Sequence, residues 1–85
     1  MRIMEFRIDI KSEGIETVAH ITGHLCGDAV VHLMKACDSI EGAFVLDLTN
    51  LLFADEAGIN AIRMLGEKEA ELRGASPFIQ LLLDN

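Results

Sequence analysis

The sequence predicts an α/β protein with the element order β-β-α-β-α-β-α. Three observations support this order. Apolar and charged residues alternate at the start, a nearly continuous apolar run lies in the middle, and stretches with helical spacing of apolar residues separate or follow such segments. Together they predict a mixed β-sheet, made of an N-terminal hairpin and parallel strands, with helices packed on one face.

The first two elements are predicted to be strands of a hairpin. Four apolar residues alternate with charged ones, as in a strand with one face in solvent: Met4, Phe6, Ile8 and Ile10. A turn is predicted at 12–14 and a second strand at 15–21. Gly23 and Gly27 are expected to bracket the loop that follows.

A helix and a buried strand are predicted next. Asp28 is expected to be the N-cap of an amphipathic helix over 29–40. The helix should end at Glu41 and Gly42. The apolar run over 43–49 has the pattern of a central parallel strand covered by helices.

The remaining elements are predicted to be a helix, a strand and a helix. A short apolar loop and an acidic turn should precede the second helix, which is expected to begin at Gly58 or Ile59. Ser76 and Pro77 form a strong helix start, which predicts a last helix over 77–84. A helix start at Ser76 and Pro77 favours a short strand at about 70–75 over continuation of the second helix through this region.

Size and charge restrict the function. The 85 residues should form one domain spanning 1–85, and the net charge of −7 argues against nucleic acids and anionic membranes as partners. The start lacks the apolar run of a signal peptide, and no segment approaches the roughly 18 apolar residues of a membrane span. A cytoplasmic protein with Cys26 and Cys37 as free thiols is expected.

Several segments, in the right order, carry a resemblance to a known family. They are Gly23-His24-Leu25, Val45-Leu46-Asp47-Leu48-Thr49, Phe53-Ala54-Asp55-Glu56-Ala57-Gly58-Ile59, and Leu72 with Gly74-Ala75-Ser76-Pro77. This order resembles the STAS domain family, the anti-sigma-factor antagonists and their relatives, over nearly the whole chain. The resemblance implies a STAS-like fold and a non-enzymatic regulatory module that needs no cofactor. It also implies a partner such as an anti-sigma-factor kinase, a serine kinase-like ATPase.

The sequence departs from the family pattern at two positions. Ala57 stands where phosphorylatable members have Ser or Thr, and alanine has no hydroxyl to accept a phosphoryl group. The preceding Glu56 is stabilised at a helix N-terminus by about 0.3–1 kcal/mol and could imitate part of the charge of a phosphoserine. Cys26 stands where the pattern has Asp, which weakens any transfer of phosphoryl or nucleotide chemistry, whereas Asp55 matches.

We therefore predict one partner-binding surface at the start of the second helix and in the neighbouring loop. Its residues are Cys26, Gly27, Asp28, Asp55, Glu56, Ala57, Gly58, Ile59, Asn60 and Arg63. A simpler interpretation, compatible with binding, is that Asp55 and Glu56 only cap the helix. No catalytic residue is predicted, because no sequence feature indicates a pocket that would shift carboxylate pKa values.

Three alternatives stay open at this point. Some STAS domains are permanent subunits of membrane transporters, including lipid-transport assemblies, and Ala57 suits a permanent contact equally well. His20, His24 and Cys26 suggest thiol or metal chemistry, but no further element completes four ligands, so no metal is predicted. The apolar segment 78–83 should close the core or remain partly exposed as a homodimer or partner contact.

Overall fold

The computed structural model describes residues 6–68 and 70–85, which contain four strands and three helices in the predicted order. The strands are β1 (Phe6–Glu13), β2 (Glu16–Leu25), β3 (Phe44–Ala54) and β4 (Ala70–Arg73). The helices are α1 (Asp28–Asp38), α2 (Glu56–Glu67) and α3 (Pro77–Asp84). The order β-β-α-β-α-β-α is therefore confirmed, while Met4 of the first predicted strand lies outside the described residues.

The described strands form one mixed sheet in the order β1-β2-β3-β4. β1 and β2 are an antiparallel hairpin that turns at Gly14, whose φ of 68° suits the first position of a tight hairpin turn. β2 pairs parallel with β3, and β3 pairs parallel with β4. Each parallel pair is joined through a helix, as the crossover between parallel strands requires.

The two faces of the sheet differ in what covers them. Alternate residues of β2, including Ala19, Ile21 and Leu25, are buried in the core. Helices α1, α2 and α3 all contribute to this same core, through residues that include Leu33, Ile62 and Ile79. The opposite face of the sheet, called here the open face, carries the polar side chains of His20 and Asp47 and also the buried, paired residues Val18 and Val45.

β3 is longer than the predicted strand at 43–49, and the predicted apolar loop after it is wrong. The β2–β3 pairs His20–Asp47 and Leu25–Ala54 lie five residues apart in β2 but seven apart in β3. β3 therefore holds two extra residues, as in β-bulges. These insertions shift the alternation of side chains and let Leu51 reach the core, which a regular period-2 pattern does not predict.

The start of α1 and the end of β2 also differ from prediction. Gly27, with a φ of 57°, occupies the N-cap position of α1, so Asp28 is its first helical residue and not its cap. β2 continues through the predicted loop to Leu25, because Leu25 pairs with Ala54 and is fully buried. The free energy of burying this side chain favours the longer strand.

Later boundaries follow their capping residues. α1 ends at Asp38 rather than at residue 40, with Ser39 as the C-cap, and β4 ends at Arg73 rather than near 75. α3 has the predicted bounds, since the Ser76 hydroxyl accepts a hydrogen bond from the Ile79 amide at 3.2 Å. None of the helices in the described part of the chain is long and apolar enough to cross a membrane.

A hydrogen-bonded group of side chains crosses the open face. His20 Nε2 lies 2.8 Å from Glu13 Oε2, and His20 Nδ1 lies 2.8 Å from Asp47 Oδ2. Asp47 Oδ1 also accepts hydrogen bonds from the Thr49 amide and hydroxyl, at 3.0 and 2.6 Å. The hydrogen bond with Glu13, supported by Asp47, raises the pKa of His20 despite its partial burial. Burial alone would raise the pKa of Asp47, but the hydrogen bonds from Thr49 and His20 lower it.

We predict that His20 stabilises the fold more in mild acid than in mild base. Its folded pKa is raised, so its contribution is complete below the unfolded value of about 6.5 and is lost as pH rises through the folded value. Urea unfolding of wild type and His20→Gln at about pH 5.5 and about pH 8.5 measures this contribution. The stability difference should be greater at the lower pH by on the order of 0.5 kcal/mol, as for a partly exposed ion pair.

His32→Gln is the matched control, because His32 lies exposed on α1. The difference in unfolding free energy between wild type and His32→Gln should change less with pH. A His20→Gln difference that is equal at both pH values would contradict the assigned role of the Glu13–His20–Asp47 group.

Candidate functional site

The carboxylate of Asp55 joins two segments that the sequence places far apart. Asp55 is the N-cap of α2, and its Oδ1 accepts a hydrogen bond from the Gly58 amide at 2.8 Å. Its Oδ2 accepts a longer bond of 3.4 Å from the Gly27 amide, at the start of α1. The Asp55 amide donates to the Leu25 carbonyl at 3.2 Å. The end of β2, the start of α1 and the start of α2 therefore meet at one junction.

Because Asp55 is the N-cap, α2 begins at Glu56 and not, as the sequence predicts, at Gly58 or Ile59. The hydrogen bond between Asp55 and Gly58 closes the first turn, which places Glu56 and Ala57 inside the helix. The predicted capping role of Asp55 is thus confirmed, while Glu56 is the first helical residue.

Gly58 packs directly against the last residue of β2. A Cβ at this position would strike the Leu25 backbone oxygen and would also lie 3.0 Å from Leu25 Cγ and 3.2 Å from Ala54 Cβ. Backbone atoms of a paired strand cannot move aside easily, so the position requires glycine. The close approach seats the first turn of α2 on the sheet and gives the junction a defined geometry.

The junction divides the predicted binding residues into exposed and buried groups. Glu56, Ala57 and Asn60 are exposed on the first turns of α2, and Gly27 and Asp28 are exposed beside them. Cys26 and Asp55 are half-buried, whereas Gly58 and Ile59 face the core. The predicted residues do come together, but fewer of them are exposed to solvent than the sequence indicates.

Arg63 has a structural role that the sequence does not reveal. Its guanidinium donates to the carbonyl oxygens of Leu82, Leu83 and Asn85, at 3.0, 3.2 and 2.6 Å. It also donates to Asn60 Oδ1 at 3.3 Å. The carbonyl oxygens at the C-terminal end of a helix lack partners within the helix, and the Arg63 guanidinium supplies hydrogen bonds to them. Its positive charge also interacts favourably with the dipole of α3. Arg63 therefore fastens α3 to α2 and is half-buried rather than projecting into solvent.

The exposed part of the junction is acidic and has a groove beside it. Asp28 and Glu56 are the first residues of α1 and α2, where the helix dipole favours negative charge. A groove of about 380 Å³ runs from this end of α2 to the end of α3, and Asp55, Asn60 and Leu82 are among its lining residues. The arrangement places two exposed carboxylates beside a cleft.

The alternative site at His20, His24 and Cys26 is not assembled. His20 is held by Glu13 and Asp47, whereas His24 lies against Phe53 with ring centroids 6.3 Å apart. Within 6–68 and 70–85, no group of three or more His, Cys, Asp or Glu side chains is placed to hold a metal ion.

The two cysteines have different environments, and both are free thiols. Cys26 is half-buried at the junction, while Cys37 is buried in the core. Burial raises the pKa of Cys37 to about 11, so little reactive thiolate forms there at neutral pH. Cys37 thus belongs to the packing of α1 rather than to a chemical site.

Comparisons with known proteins identify the fold. No protein-family model matches the chain, and no curated protein does. Among solved structures, it is similar to the crystal structure of an antisigma-factor antagonist, a STAS domain from Rhodobacter sphaeroides. The TM-score is 0.57 at 22% sequence identity, and the match covers 87% of this chain and 92% of that chain. The predicted STAS-like fold is therefore confirmed.

Proposed function

We propose that the chain is a non-enzymatic regulatory module of the cytoplasm that docks a protein partner through the junction. The docking surface consists of Glu56, Ala57 and Asn60 on α2, with Gly27 and Asp28 beside them. The observation that carries this proposal is the rigid seating of an exposed acidic helix start, through Asp55 and Gly58, within a STAS fold. Such pre-organisation lowers the entropy lost when a partner binds.

The chemistry of the surface suggests the class of partner. Asp28 and Glu56 present carboxylates in a chain with a net charge of −7, so a partner with a basic docking surface is favoured. An anti-sigma-factor kinase, a serine kinase-like ATPase, is the leading candidate because the similar Rhodobacter sphaeroides domain is described as an antisigma-factor antagonist. Signal transduction that regulates transcription is the corresponding role.

Ala57 suggests that binding is not switched at this position. Its methyl group is exposed on the first turn of α2, where it cannot accept a phosphoryl group. Glu56 supplies a permanent negative charge one residue earlier. The module would then be held in a single binding state.

A second candidate function rests on the same observation. An exposed but unmodifiable helix start also suits a permanent subunit of a membrane-transporter assembly, including one that moves lipids. Neighbouring genes for a kinase and a sigma factor would favour the first function. Neighbouring transporter genes would favour the second.

We predict that charge reversal at the start of α2 disrupts docking. Glu56→Lys introduces a repulsive charge toward a basic partner and should weaken binding at least tenfold, since unfavourable charge placement costs several kcal/mol at an interface. Isothermal titration with the purified partner measures the change. A substitution at Gly58 would not isolate docking, because any side chain there strikes the backbone of Leu25.

Glu67→Lys is the matched control for this experiment. It makes the same charge change on an exposed residue at the other end of α2, about 16 Å away along the helix. Equal binding losses in both variants would indicate a general charge effect. Unchanged binding by Glu56→Lys would refute docking at the junction.

We predict that Ala57→Ser restores phosphorylation if the partner is a kinase of this kind. The introduced hydroxyl would receive the γ-phosphoryl group of ATP, and mass spectrometry should detect one added phosphate after incubation with the kinase. Ala43→Ser, at an exposed loop position, is the control and should gain none. Stable complex formation without phosphate transfer would count against kinase geometry and favour the permanent-subunit function.

A further inference from the structure

The outer side of β1 is a regular, open edge of the sheet. Among the described strands, β1 pairs only with β2, and it does so over all 8 of its residues without a register shift. Natural edge strands are usually protected by a bulge, by proline or by being very short. β1 contains neither a bulge nor a proline, whereas β4, at the opposite edge, has only 4 residues. The edge of β1 is therefore open to pairing with a further strand.

The hairpin turn determines which backbone groups of β1 point to this edge. Glu13 and Glu16 flank a two-residue turn, in which the carbonyl of the first flanking residue accepts a hydrogen bond from the amide of the second. The backbone groups of Glu13 therefore face β2. Because this direction alternates along an antiparallel strand, the amides and carbonyls that face outward belong to Ser12, Ile10 and Ile8.

The side chains of β1 differ between its two faces. Ile10 lies on the helix-covered face, since it pairs with the buried Ala19, but it is 40% exposed. The other face of β1 carries four exposed charged residues of alternating sign: Arg7, Asp9, Lys11 and Glu13. Their charges add to zero, so this strand is locally neutral within a chain of net charge −7.

One antiparallel register of two β1 strands places each of these charges opposite a charge of the other sign. When two copies pair with Ile10 at the centre, Asp9 of each faces Lys11 of the other. Arg7 of each likewise faces Glu13 of the other. Directly opposed side chains in an antiparallel pair have Cβ atoms about 4.5–5.5 Å apart, where opposite charges stabilise the pairing. The sequence of β1 is thus complementary to itself.

The backbone groups fit this register, and the charges exclude its neighbours. With Ile10 at the centre, Ile10 faces its own counterpart and Ile8 faces Ser12, so outward-facing groups meet and can exchange both hydrogen bonds of each pair. Moving the centre to Asp9 or to Lys11 would keep such bonds but would place two like charges directly opposite each other. Like charges at opposed positions are destabilising.

We propose that β1 pairs antiparallel with β1 of a second copy of this chain, which joins the two sheets into one continuous sheet. The opposite charges attract at contact distance, whereas repulsion between the two chains of net charge −7 is spread over each molecule and is screened beyond about 8 Å at physiological ionic strength. A two-fold axis uses the β1 edge of both copies, so the assembly closes at the dimer.

The dimer should be weak and independent of the docking function. A single pair of strands makes a small interface, so we expect a dissociation constant in the micromolar range. The interface uses none of Glu56, Ala57 and Asn60. Failure of either proposal therefore leaves the other intact.

Sedimentation equilibrium from about 1 μM to about 1 mM tests this proposal, and wild type should show a reversible monomer–dimer equilibrium. Lys11→Glu would place a carboxylate opposite Asp9, and Asp9→Lys would place an ammonium group opposite Lys11. Each substitution should raise the dissociation constant about tenfold or more, because a symmetric interface contains the altered pair twice. Both positions are exposed, so the fold should be kept, as circular dichroism can verify.

An equimolar mixture of Lys11→Glu and Asp9→Lys tests the register itself. In the mixed dimer, position 9 of each chain again faces an opposite charge at position 11 of the other, so dimerisation should return to at least the wild-type level. Net charge cannot explain this pattern, because Asp9→Lys makes the chain less negative and yet should weaken its dimer.

Lys68→Glu is the matched control, since it makes the same charge change as Lys11→Glu on an exposed residue at the end of α2. It should dimerise as wild type does, and it should not restore the dimer of Asp9→Lys. A wild type that stays monomeric to about 1 mM would overturn the proposal and leave the edge to a strand of another protein. A dimer unaffected by both β1 substitutions, or a mixture that stays monomeric, would also overturn it.

Discussion

The contact between Gly58 and Leu25 is the constraint on which the arrangement of the other elements depends. With no side chain at Gly58, the first turn of α2 rests on the backbone of β2, and the carboxylate of Asp55 closes that turn. The same carboxylate reaches the Gly27 amide at the start of α1. One close approach and one cap thereby fix two helix starts relative to the central parallel strands.

The position of the proposed docking surface follows from this junction. Seating α2 on β2 turns Ile59 into the core and leaves Glu56, Ala57 and Asn60 facing outward. Further along α2, Arg63 binds the carbonyl oxygens at the end of α3. These hydrogen bonds fix the position of α3 relative to α2. α3 in turn stacks Phe78 on Phe53.

Features set by local chemistry could be predicted from the sequence, and features set by tertiary contacts could not. Ser76 and Pro77 specify a helix start by themselves, and α3 has the predicted bounds. The bulges of β3 arise from its pairing with β2, and they are invisible in the apolar pattern of one strand. The hydrogen bonds of Arg63 join residues about 20 positions apart, which side-chain spacing does not indicate. At the junction, the residue types were recognisable, but which of them face solvent depended on the close approach at Gly58.

The most direct test of this account compares the unfolding free energies of Gly58→Ala and Gly66→Ala. Both glycines lie in α2, where alanine normally stabilises a helix by about 0.5–1 kcal/mol. At Gly66 the nearest atoms to the added methyl would be Leu72 Cδ1 at 3.1 Å and Leu72 Cγ at 3.3 Å, in a side chain that can shift more easily than backbone, so the cost of that contact and the helix propensity of alanine should leave stability within about 1 kcal/mol of wild type. Gly58→Ala should instead lose about 1–3 kcal/mol, because its methyl strikes the Leu25 backbone. A Gly58→Ala protein as stable as Gly66→Ala would contradict the claim that the close contact between Gly58 and Leu25 fixes the position of α2.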